Sequence, residues 1–239
     1  MLSFQRSLKS SGAVARKRKK FSKQKKTTLR STELRSTESQ KKALLSLYKQ
    51  SRYHESETLA RSLVEKHPGD LFSWNILGAV LRQQSRLRES LTAFQEATKL
   101  APHDANAYNN LSVTLQELGR LEEAEASYRK ALELQPDLPA AHYNLANTLR
   151  GRGKFAESKD SFERAIALKP DFVDAHYGLG TILKVMGRLA EAKKSYNQVI
   201  EIKPDHAAAH CALGTILKEM GGFDEAITSH TKAIAASPA

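Results

Sequence analysis

Residues 118–137, LGRLEEAEASYRKALELQPD, read as a helix with a marked start and a hard stop. Weaker copies of its opening return as QSRLRES (84–90), RGKFAES (152–158), MGRLAEA (186–192) and MGGFDEA (220–226). Proline measures the interval. Six of the seven prolines are Pro68, Pro102, Pro136, Pro170, Pro204 and Pro238, each 34 residues after the last. Self-similarity at a period of roughly 20–50 residues marks an array in which no single copy buries its apolar face alone.

With the recurring proline at position 32, six repeats open at Thr37, Leu71, Ala105, Pro139, Val173 and Ala207. Position 4 is Trp74, Tyr108, His142, His176 and His210 in repeats two to six; position 7 is Leu77, Leu111, Leu145, Leu179 and Leu213. Position 11 is leucine in all six: Leu47, Leu81, Leu115, Leu149, Leu183 and Leu217. At about 100° per residue these three positions share an arc of roughly 60°, the predicted buried stripe of a first helix. Position 8 is small (Gly78, Ser112, Ala146, Gly180, Gly214), as closely crossing helices require. Gly119, Gly153, Gly187 and Gly221 at position 15 are placed to end that helix. Positions 20, 24 and 27 read small, large, small on one face of a second helix: Ala124, Tyr128 and Ala131, then Ser158, Phe162 and Ala165. Glutamate at position 19 lies in its first turn, where the helix dipole favours an acid. The proline then closes the hairpin. The expectation is an all-α solenoid of about six helix-turn-helix repeats.

These residues resemble the tetratricopeptide repeat family, closely over 71–239 and loosely over 37–70. The first repeat keeps Leu47, Tyr53, Leu63 and Pro68 but has Gln40, Leu44 and Ala60 at positions 4, 8 and 24, as terminal repeats often depart from their pattern. The resemblance implies a right-handed superhelix whose first helices line a concave groove for peptides or protein segments. It also implies no catalysis and no cofactor. The asparagines of YNNLSVTL (108–115) and HYNLANTL (142–149) are further similar to the arrays that precede protein O-glycosyltransferases and some sulfotransferases. Asn110 and Asn144 fit an asparagine ladder there; Ile76, Gly178 and Ala212 break it. The alternative to a free-standing scaffold is therefore the targeting array of a longer transferase polypeptide.

Helical geometry marks out the same surface: positions 2, 5, 9, 12 and 13 point away from the buried arc. From them come the candidate peptide-binding residues Asn75, Arg82, Asn106, Asn109, Gln116, Tyr143, Asn147, Arg150, Tyr177, Thr181, Lys184 and Lys218. Asparagine and tyrosine can bond a peptide backbone whatever its sequence. Position 12 (Arg82, Gln116, Arg150, Lys184, Lys218) forms a cationic ridge suited to an acidic segment. Position 5 is never lysine, which argues against the carboxylate clamp of chaperone-binding family members.

Charge divides the chain. Residues 1–42 hold 14 Lys or Arg and two acids, and so carry the whole formal charge of +12. Residues 1–36 read as a basic disordered tail open to weak anionic contacts, and in a eukaryote VARKRKKFSKQKK (14–26) would serve nuclear import. One cysteine, Cys211, leaves no intramolecular disulfide and no cysteine metal cluster. No apolar run spans a membrane and no secretory signal is present, so the expected location is cytoplasmic. Equivalent histidines one repeat apart lie too far from one another to share a metal. Gly78, Gly178 and Gly180 lack the strand-loop-helix setting of a phosphate loop. No catalytic or metal site is expected. On the last second helix, Ile227 and Ile234 lie on a face that a further repeat would bury, so self-association is expected there.

Overall fold

The computed structural model describes residues 37–236; the basic segment 1–36 and Pro238, both read above, lie outside the described residues. Helices alternate between 13 and 14 residues from the third onward. They are α1 (37–49), α2 (Tyr53–Lys66), α3 (Leu71–Gln83), α4 (Leu87–Leu100), α5 (Ala105–Glu117) and α6 (Leu121–Leu134). There follow α7 (Pro139–Gly151), α8 (Phe155–Leu168), α9 (Val173–Val185), α10 (Leu189–Ile202), α11 (Ala207–Glu219) and α12 (Phe223–Ala236). No strand occurs among the described residues, and no helix there is long and apolar enough to cross a membrane.

The contacts of the described residues gather into two parts, one up to Val80 and one from Leu81 onward. In the first, Asp70 starts α3: its carboxylate accepts from the Ser73 amide (3.1 Å) and hydroxyl (2.5 Å) and meets Lys41 Nζ at 2.7 Å. In the second, each helix packs on the one before and the one after, from α4 to α12. That is a helical-repeat solenoid.

Position 15 closes every first helix by one device. The Gly119 amide bonds the Gln116 carbonyl and the Arg120 amide reaches Leu115, both at 2.9 Å. This turn needs positive φ, and Gly119, Gly153, Gly187 and Gly221 supply it at 73° to 86°. Ser51 and Ser85 occupy the same place at 58° and 60°.

The core corrects one expectation. Leucines 7 and 11 are buried apart from the half-buried Leu47 and Leu179; at position 4 His176 and His210 are buried as expected, but Trp74, Tyr108 and His142 are only half-buried. The deepest places on the first helix are positions 3 and 10: Ala107, Ala175, Thr148 and Ile182 are fully buried. The reason is the preceding second helix. Ala175 and Ile182 pack on Phe162 and Ala165 of α8, so an inter-repeat face lies beside the intra-hairpin stripe. Position 4 sits at the margin of both. Its ring Nε2–H donates across the repeat boundary to the proline carbonyl, from His142 to Pro136 and His176 to Pro170 at 2.9 Å, and from His210 to Pro204 at 2.8 Å. In the N-terminal part Trp74 Nε1 does the same to Pro68 at 2.8 Å. A methyl on Gly180 would stand 2.8 Å from the Tyr196 ring, and one on Gly214 2.8 Å from His230. The histidine at position 24 thus fills the place of the missing aromatic.

Candidate interaction surface

Small residues at positions 3 and 8, joined at position 6 by Gly178 and Ala212, let the second helices press close. What remains on the other side of each first helix is positions 5, 9 and 12. In the C-terminal part these carry Asn109, Val113 and Gln116 on α5, and Tyr143, Asn147 and Arg150 on α7. On α9 they are Tyr177, Thr181 and Lys184, and on α11 Cys211, Thr215 and Lys218.

The tyrosines are less free than their helical position suggests. Tyr143 is half-buried, with ring centroids 5.9 Å from Phe162 and 5.1 Å from Phe172. Tyr177 packs 5.5 Å from Tyr196 and stacks on His206 at 5.6 Å with 29° between planes. Each is therefore partly covered by neighbouring rings. Lys169 Nζ lies over Phe172 at 5.2 Å.

Gln116 and Thr181 tie the floor together. Gln116 Oε1 accepts from Tyr128 Oη (3.1 Å) and from Thr148 Oγ1 (3.2 Å), joining the third repeat to the fourth. Thr181 Oγ1 bonds the Tyr177 carbonyl at 3.0 Å and meets Tyr196 Oη at 3.2 Å. Burial raises the phenol pKa of Tyr128, with Arg82 pulling the other way and Glu117 adding to the rise. Burial likewise raises Tyr196 against the Thr181 bond. Both phenols are fixed, neutral donors or acceptors. Reading position 24 for packing alone misses them; the signal was tyrosine rather than phenylalanine in alternate repeats.

The asparagines divide. Asn147 Nδ2 donates to the Tyr143 carbonyl at 3.2 Å. Asn109 Oδ1 is buried yet has no hydrogen-bond partner among the described residues. In the N-terminal part Asn75 Nδ2 donates to the Leu71 carbonyl at 3.2 Å, and its Oδ1 is likewise buried without a partner. Asn106 is exposed in the first turn of α5, where its amide donates to the Asp104 carboxylate at 2.9 Å. Arg150 and Lys218 are exposed and Arg82 half-buried; Lys184 Nζ meets Glu219 of the next repeat at 3.1 Å.

Sequence comparison settles the family. Tetratricopeptide repeat models match residues 73–137, 103–171, 149–216 and 207–239. The chain belongs to the tetratricopeptide repeat family. A search of curated proteins by sequence returns no match. Among solved structures, the tetratricopeptide array is similar to MamA at 26% identity and a TM-score of 0.65, over 67% of this chain and 94% of that one. It is similar to YrrB, described as a TPR protein with an unusual peptide-binding site, at 22% identity and a TM-score of 0.64, over 75% and 92%. It is also similar to PilF of Pseudomonas aeruginosa at 17% identity and a TM-score of 0.74, over 84% and 92%. The last two likenesses concern the fold alone. The general role of such arrays is that of a scaffold for protein–protein contacts.

The second-helix side of the tetratricopeptide array is built differently. Glu125 of α6, only 6% exposed, takes Arg129 from its own helix (3.0 Å), Arg152 from the next repeat, and Lys154 (3.0 Å). Burial works to raise the pKa of its carboxyl, but hydrogen bonds from Lys154, Arg129 and Arg152 outweigh burial and hold it below the ordinary carboxylate value. Beside this cluster an open hollow of about 420 Å³ runs between α6 and α8, with His142 and Leu145 at its floor and Arg129, Glu133, Asp160 and Arg164 at its rim. Burial lowers the His142 pKa, offset in part by its bond to the Pro136 carbonyl. Among the described residues no three His, Cys, Asp or Glu side chains form a metal-binding group.

Proposed function

We propose that this chain is a non-catalytic scaffold that holds an extended peptide or protein segment along positions 5, 9 and 12 of α5, α7, α9 and α11. The observation that carries this reading is Asn109 Oδ1. A buried acceptor without a donor costs about 1–3 kcal/mol, a cost that a backbone N–H of a bound segment would remove. Around it Gln116 Oε1, Asn147 Nδ2 and Thr181 Oγ1 are already bonded within the fold, whereas Asn109 Oδ1 is buried with no such bond.

The test is site-directed photo-cross-linking in native extract with the full chain. A photoreactive side chain at Thr215, on the first-helix side, is expected to trap partner protein; one at Arg164, beside the second-helix hollow, is expected to trap none. Asn109→Ala and Tyr177→Ala should reduce capture at Thr215 without loss of helical content. Trapping at Arg164 alone would overturn the proposal.

A further inference from the structure

Ion pairing differs by degree between the two sides of the C-terminal part. On the turns and second helices most cations are matched, as Arg120 with Glu123, Arg188 with Glu191, Lys159 with Glu163 and Lys193 with Glu225 at 2.6 to 3.3 Å, while Arg88, Lys169, Lys194, Lys203 and Lys232 have no ion pair with any described residue. At position 12 pairing is the exception. Arg82, Arg150 and Lys218 have no ion pair with any described residue, and Lys184 shares Glu219 in a half-exposed pair. Position 12 thus holds unmatched charge in alternate repeats (Arg82, Arg150, Lys218) and a half-exposed, paired Lys184 between the last two, and unmatched charge is available to a ligand.

The spacing of that register is informative. First helices of successive repeats touch directly, α5 with α7 and α7 with α9, and touching helices lie roughly 8–10 Å apart. A polyproline II segment has three residues per turn and advances about 3.1 Å per residue, so every third side chain returns to the same edge after about 9 Å. A β-strand puts residues i and i+3 on opposite faces and cannot match the row. Polyproline II chains have no internal hydrogen bonds and dock on aromatic-lined grooves. Tyr143 and Tyr177, packed on other rings, are one repeat apart on the same side of the first helices as the cations, two turns before them.

We infer that the occupant of this surface is an acidic polyproline II segment with Asp or Glu at every third residue. Its carboxylates pair with Arg150, Lys184 and Lys218, and the next acid in the register meets the side-chain amide of Gln116. Its backbone lies against Tyr143 and Tyr177 and donates to Asn109 Oδ1. Glu219 holds Lys184 until the ligand carboxylate displaces it. The inference rests on the groove reading above.

The experiment measures fluorescence anisotropy of labelled peptides on the full chain. The probes are (Glu-Pro-Pro)4, the same composition with its four glutamates consecutive, and (Lys-Pro-Pro)4. The triplet glutamate peptide is expected to bind at least five-fold tighter than the clustered one, to weaken with salt, and to exceed the lysine peptide. The double reversal Arg150→Glu with Lys218→Glu is expected to weaken it at least ten-fold while circular dichroism stays unchanged, since neither side chain has a partner in the fold. Equal affinity for triplet and clustered peptides would overturn the register. Binding indifferent to the double reversal would assign it to the basic residues 1–42 and overturn the inference. Should the cross-linker at Thr215 trap a partner that the triplet peptide fails to displace, the inference falls and the groove reading stands.

Discussion

At Ser51 and Ser85 a side chain occupies backbone that four of the other repeats give to glycine. Left-handed backbone costs an ordinary L-residue roughly 1 kcal/mol, set against the extra unfolded-state entropy of glycine. The sign favours glycine here. Ser85→Gly is expected to stabilise by about 0.5–1 kcal/mol, and Gly187→Ala to destabilise by a similar amount, both read as a shift of the urea midpoint at constant slope. Gly178 answers to a different constraint. Its φ is ordinary, but a methyl there would come within 2.5 Å of the Phe162 ring, across the boundary between the fourth and fifth repeats. Gly178→Ala is expected to cost about 1–3 kcal/mol by overpacking, and Gly178→Ala with Phe162→Leu to recover part of that. No recovery in the double variant would remove the ring from the explanation. In the sequence Gly178 is a helix-internal glycine that breaks an asparagine ladder; the ring it makes room for lies 16 residues upstream in another helix.

Helix by helix, the ends are built with more variety than the repeat pattern suggests. Asp104 caps α5, Pro139 opens α7 at its first turn, and His206 caps α11 by accepting the Ala209 amide at 3.1 Å on Nδ1. His206→Ala is expected to lose about 1 kcal/mol and His206→Asp to retain it, measured by thermal unfolding. Four of the six second-helix starts use arginine at position 16 bound to glutamate at position 19, as in Arg52–Glu55 and Arg188–Glu191; α8 and α12 have Lys154 and Gly222 there. The sequence showed the glutamate and its dipole role, but not its arginine partner. Glu125 illustrates a harder case. Its place after two other glutamates reads as a solvated helix start, whereas three cations converge on it from its own helix and the next repeat. Only tertiary proximity reveals that. Because its carboxyl is held below the unfolded value of about 4.3, it contributes stability above that pH, and this is lost as pH falls through the lower folded value. Glu125→Gln is expected to cost about 1–3 kcal/mol near neutrality, with the gap from wild type closing below about pH 4. A gap constant from pH 7 to pH 3 would mean that the charge is not what stabilises.

Across the molecule, the repeat length, the hairpin boundaries and the family were legible because 34-residue periodicity fixes them without any long-range contact. The surface was legible only as a set of directions. Periodicity places positions 5, 9 and 12 on one side of a helix, yet it cannot show that Gln116 is bound by Tyr128 and Thr148 or that Asn109 is left with a bare acceptor. Those depend on where neighbouring repeats bring their side chains. On α12, Phe223, Ile227 and Ile234 are 63% to 75% exposed, a stripe at spacings of four and seven. We expect the full chain to self-associate at high concentration through it, and Ile227→Lys with Ile234→Lys to return the monomer. Sedimentation velocity showing a monomer of the unaltered chain at its highest soluble concentration would refute this.

The bond from the position-4 tryptophan or histidine ring to the proline carbonyl six residues earlier has a consequence for shortening the protein. A fragment begun at Pro139, where α7 itself starts, would strip His142 of its acceptor while keeping every helix whole. Begun three residues earlier, at Pro136, it would carry the acceptor with it. The natural cutting point of this chain is therefore the proline, upstream of the helix, and the functional copy is counted from there.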